Sequence, residues 1–93
     1  MSEPDRKIVR KALFEAIENQ MKEGEPRETK ATFHRLLAAG YSRKETMKLL
    51  ACVLLVELND MVRDNRLYDE ASYVKKLKAL PRLPWEEEPE DRA

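Results

Sequence analysis

Apolar residues recur at Val9, Ala12, Leu13, Ala16, Ile17 and Met21, three and four positions apart, which places them on one face of a helix running to about Glu23. Ser2, Pro4 and Asp5 suit the entrance of that helix: the hydroxyl caps free amides, and proline and an acid fit the first turn. Gly24, Glu25 and Pro26 end it. A second, shorter helix is predicted from Arg27 through Phe33, Leu36 and Leu37, stopping at Gly40, a natural left-handed cap. Ser42 and Glu45 form an S-x-x-E capping box, so a third helix starts at Arg43 and continues without Gly or Pro to about Asp64. Asn65 to Tyr68 breaks the pattern, Asp69 caps a fourth helix, and Tyr73, Val74, Leu77 and Leu80 supply its stripe until Pro81. Strand-like alternation is absent throughout.

The third helix is unlike its neighbours. Its run LLACVLLVEL, with eight uninterrupted apolar residues from Leu49 to Val56, is apolar around almost the whole circumference and needs enclosure by other elements. At 100° per residue, Met47, Leu50, Ala51, Leu54, Leu55, Leu58, Met61 and Val62 fill one broad face, while Leu49, Cys52, Val53 and Val56 make a second. The expected fold is therefore all-α: a single domain of about four helices over residues 1–80, with a long, largely buried third helix at its centre. Residues 81–93 read as an extended Pro-containing segment followed by a disordered acidic tail, because EEEPEDRA holds almost no hydrophobe.

Composition narrows the function classes. A chain of 93 residues makes one small domain, which excludes multidomain enzyme architectures. Two glycines cannot build a Gly-rich phosphate cradle. Eighteen basic residues balance eighteen acidic ones, so no cationic excess drives binding to nucleic acid or to an anionic membrane. The charge is unevenly placed, at +1 over residues 1–40, +2 over 41–80 and −3 over 81–93. The single cysteine forms no internal disulfide, and the first residues carry no apolar leader, so the expected location is the cytoplasm.

Candidate chemistry is sparse. His34 is the only histidine, and the nearest thing to a ligand cluster is the acid stripe Glu57, Asp60 and Asp64; no second His or paired Cys completes a metal site, so no metal or cofactor is expected. Carboxylates at this spacing usually mark a solvated face. Glu57, embedded in the apolar stretch, needs a partner, with Arg35, His34 or a lysine as candidates. Cys52 lies between Ala51 and Val53, without a base to activate it, and reads as packing. Arg6, Lys7, Arg10 and Lys11 form a basic patch on the first helix, and the acidic tail could hover over it and mask it from polyanions. Pro81-Arg82-Leu83-Pro84 matches P-x-x-P, but the stronger expectation is that Leu83 and Trp85 fold back over the bundle.

The stretch RLLAAGYSRKETMKLL resembles the turn of helix-turn-helix DNA readers and also the Gly-aromatic turn of ubiquitin-associated domains. Only Arg43, Lys44 and Lys48 are exposed polar candidates before the helix turns apolar, which leaves little for reading base edges. Over residues 24–80, the P-x-E-T, A-T-x-x-R-L and G-[YH]-S-x-x-E pattern resembles small bacterial helical proteins of uncharacterised function. That resemblance implies an all-helical fold and a bacterial, cytoplasmic origin, and carries no activity, substrate or catalytic residue. The functional expectation is a non-enzymatic protein–protein interaction module that self-associates, with a homodimer as one form, and Leu49, Cys52 and Val56 are expected either at a dimer seam or under the fourth helix. A nucleic-acid-associated regulator is the alternative, followed by a small metal-dependent enzyme built on His34 and the Glu57 stripe; neither nucleic acid nor membrane is the expected partner.

Overall fold

A computed structural model describes residues 3–86, with side chains from residue 6 onward. Four α-helices follow one another: α1 (Glu3–Glu23), α2 (Arg27–Ala38), α3 (Arg43–Asp64) and α4 (Glu70–Ala79), with a short 3-10 turn at Pro84–Glu86. No strand occurs among the described residues. The expected all-α class and element boundaries hold. The Ser2 cap and the tail from residue 87 onward, with its expected masking of α1, lie outside the described residues.

Local chemistry accounts for the boundaries. Ser42 Oγ accepts from the Glu45 amide at 3.0 Å, while Glu45 Oε1 accepts from the Ser42 amide at 2.9 Å, closing the capping box at the start of α3. Asp69 Oδ1 accepts from the Ser72 amide in the same manner at the start of α4. The end of α2 is a Schellman turn: the Tyr41 amide donates to Leu36 O and the Gly40 amide to Leu37 O, with Gly40 at φ 106°, where a side chain would be strained. Asn65 takes the same left-handed position after α3, at φ 52°, and the Arg66 amide donates back to Met61 O.

α3 touches each of the other three helices, as a central helix must. Its N-terminal half supplies Met47, Leu50, Val53 and Leu54 to a core completed by Ile17, Phe33, Leu36, Tyr73, Leu77 and Leu80. Each such side chain contributes about 1.5–3 kcal/mol on burial. The two-face expectation for α3 needs correction. Both faces are expected to need cover, and Val53, on the second, is fully buried, whereas Leu55, Leu58 and Val62, on the broad first face, are 39%, 42% and 82% exposed. The reason is antiparallel packing with α1: Arg43 faces Glu18 at 4.0 Å, and Arg6 and Val9 lie beside Leu55. Val62 stands seven residues, about 10 Å, beyond Leu55, while the described part of α1 continues only ~4.5 Å past Arg6.

Two polar ties join helices across the core. Thr29 Oγ1 and Tyr73 Oη both donate to Gln20 Oε1, at 2.7 and 2.9 Å, linking α1, α2 and α4. Arg35, near the end of α2, donates to the carbonyls of Leu80 at 2.8 Å and Leu77 at 3.2 Å, the latter also accepting from the Leu80 amide, and so ties α2 to the end of α4. Thr46 Oγ1 is the one buried side-chain polar atom without a partner among the described residues. Beyond α4, Leu83 packs on the core as expected, but Trp85 does not: it is 63% exposed, because the 3-10 turn, tied by Leu83 N donating to Glu86 Oε1, carries it outward.

Candidate interaction surface

α3 meets α4 and α1 by opposite means, one seam closed around a buried charge and the other apolar and partly open. On the α4 side, Glu57 occupies a core position, three residues after Leu54 and seven after Leu50, and is 0% exposed. Its carboxylate accepts from Lys76 Nζ at 3.0 Å and Ser72 Oγ at 3.1 Å on one oxygen, and from Arg66 Nη2 at 3.0 Å on the other. Burial pushes the carboxyl pKa up, but the hydrogen bonds from Lys76, Arg66 and Ser72 outweigh it and hold the value below the usual range. Lys76 also donates to Ser72 Oγ at 2.7 Å and lies 3.7 Å from Asp60. Asp60 pairs in turn with Arg63 at 2.9 Å. Nearby, Tyr68 stacks edge-to-face on Tyr73, and burial together with the charges of Glu70 and its neighbours pushes its pKa up to about 12.

These contacts assign the acid stripe a structural place. Only part of the stripe is the solvated face its spacing predicts: Asp64 is exposed, with its side chain 48% accessible, Asp60 is half-buried, and Glu57 is enclosed. Of the partners expected for Glu57, the lysine is present as Lys76; Arg35 caps α4 instead, and His34 lies exposed on α2, edge-on to Phe33. Arg66 and Ser72 were missed, because both follow or straddle the Asn65 break and reach Glu57 only once α4 folds back. No three His, Cys, Asp or Glu side chains converge among the described residues, so the structure does not bring His34 and the Glu57 stripe together as a metal centre.

On the α1 side the contact is apolar and incomplete. Between α1 and α3 runs a groove of about 400 Å³, floored by Val9, Leu13, Phe14, Ala51, Cys52 and Leu55. The polar side chains that line it among the described residues are all cationic: Arg6 and Arg10 from α1 and Lys48 from α3. None of the three forms an ion pair among the described residues. The exposed Leu58 and Val62 continue the Leu55 stripe beyond the groove at i+3 and i+7, and Ile8 is 67% exposed on α1.

The residues predicted for an interface divide here. Leu49 is half-buried and packs on the core, Val56 is half-buried, and Cys52 lines the groove. The outward apolar stripe is Leu55, Leu58 and Val62, about a third of a turn away from that expected. Burial pushes the Cys52 thiol pKa up, which suits an inert packing role. The predicted basic patch Arg6, Lys7, Arg10 and Lys11 is exposed along α1, and two of its members form the groove's rim. The groove had a legible signal: Lys48, Ala51 and Leu55 share a side of α3 with Lys44. No helix is long and apolar enough to cross a membrane among the described residues. No family model, no curated protein and no solved structure matches this chain.

Proposed function

We propose that this chain is a protein-interaction module that binds through the face shared by α1 and α3, and that its exposed α3 stripe mediates self-association. The observation that supports the reading is the apolar groove running on into the exposed Leu58 and Val62. Exposed apolar residues placed singly are ordinary, whereas a groove continuous with a stripe at helical spacing forms a contact surface. Leu55, Leu58 and Val62 have the i, i+3, i+7 spacing with which one helix packs on another.

Light scattering coupled to size exclusion, over a range of concentrations, tests this. The wild type should exceed its 10.9 kDa monomer mass as concentration rises. Leu58→Asp with Val62→Asp should return the chain to a monomer with an unchanged thermal melt. A wild type that remains monomeric at every concentration rejects self-association, as does a dimer indifferent to both substitutions.

A further inference from the structure

The groove between α1 and α3 differs from the stripe beyond it in being concave and rimmed by positive charge on both walls. Arg6 and Arg10 stand on the α1 wall and Lys48 on the α3 wall, over a floor that includes Val9, Leu13 and Leu55. Among the described side chains, no acid and no uncharged polar residue lines it. We infer that this groove is a docking site for an acidic amphipathic helix of a different protein, one presenting an apolar stripe at i, i+3/i+4, i+7 with Glu or Asp flanking it on both sides. The inference rests on the α1–α3 face being a binding surface, and deepens that reading by naming the partner's chemistry.

Three features favour this occupant. First, the cleft between two packed antiparallel helices accepts the side-chain ridge of a third, and a helix satisfies its own backbone hydrogen bonds. A peptide bound by β-strand addition would need a sheet edge, and the described residues contain no strand. Second, the rim charge is of one sign on both walls, so acids on either flank of a partner stripe gain complementary contacts while basic flanks are repelled. A second copy meeting this groove with the same groove about a two-fold axis would set Arg6, Arg10 and Lys48 against like charges. Third, phosphates of a nucleic acid would meet the cationic rim but leave the apolar floor unfilled, and a concave surface does not fit a flat bilayer.

The test uses the full chain and two synthetic helical peptides with the same leucine stripe, one flanked by Glu and one by Lys. Titrations followed by amide chemical shifts should move residues 6–14 and 48–55. The Glu-flanked peptide should bind at least tenfold more tightly than the Lys-flanked one, and raised salt should narrow the difference. Arg10→Glu with Lys48→Glu should invert the preference, and the milder Arg10→Gln with Lys48→Gln should abolish it; unchanged circular-dichroism melts establish that both variants fold. Equal affinity for the two peptides, shifts confined to other residues, or no binding by either overturns the inference. These outcomes are separable from self-association, which is read from Leu58→Asp with Val62→Asp at the stripe: a dimer lost in that variant alongside peptide indifference keeps the module and rejects its acidic partner.

Discussion

The α3–α4 seam and the α1–α3 seam use the same helix to opposite ends. Toward α4, α3 places a carboxylate at a core position and surrounds it with two cations and a hydroxyl, each within 3.1 Å. Such a site tolerates one arrangement of the two helices, because any slip strands a buried charge. Toward α1, the contact is side-chain packing of alkyl and aromatic groups over a partly filled groove. Non-directional contacts of that kind leave room for a third body without orphaning any polar group. Directional polar burial specifies a seam, and incomplete apolar burial leaves a seam available.

The sharpest way to break the contrast is to remove both cations from the locked seam. Lys76→Met with Arg66→Met leaves Glu57 buried with only Ser72, and stability in urea should fall by about 3–5 kcal/mol. Removing the acid instead should cost less, about 1.5–3 kcal/mol for Glu57→Met, because the side chains of Lys76 and Arg66 are 20% and 30% exposed and can turn to water. If Glu57→Met proves the more damaging, the seam is held by something other than the buried carboxylate.

The same residue gives an acid signature. Its pKa is lower in the folded chain than in the unfolded one, where carboxyls titrate near 4.3. Its stabilisation is therefore complete above about pH 4.3 and is lost as pH falls through the depressed folded value. Glu57→Met should flatten the acid limb of the stability–pH curve below about pH 4.3 and leave its shape at neutral pH unchanged.

Both seams depend on the start of α3, so Ser42→Ala should cost about 1 kcal/mol and weaken hydrogen-exchange protection on the α1 and α4 sides together. Unchanged stability in urea would mean that the capping box does not set the helix. The smallest effect belongs to the open side. Leu58→Asp with Val62→Asp should change monomer stability by no more than about 0.5 kcal/mol per site in a urea titration at low protein concentration. A larger loss would show those residues to be packing groups, and the contrast between seams would narrow.

Which parts of this architecture were legible from the residues follows from the range of the interactions. Ser42 with Glu45, Asp69 with Ser72, and Gly40 and Asn65 as left-handed stops act within a few positions, so helix boundaries emerged from the chain alone. The misreadings lie where the partner is distant. Trp85 was expected inside and is outside, because a single 3-10 turn decides its direction. Arg35, one of the three candidate partners for Glu57, instead caps α4, more than forty residues away.

By itself, then, the sequence determined four helices, their ends, a central α3, and the need of Glu57 for a cationic partner, since periodicity, capping and the cost of a buried charge are local properties of residue type. Only the tertiary structure decided which side of α3 is covered. Helical periodicity sorts residues by angle, and at one angle Ala51 is buried while Val62 is exposed. The difference is made by position along the axis, where the antiparallel α1 lies beside Ala51 and Leu55 but does not reach Val62, and no pattern within α3 encodes where its neighbour runs.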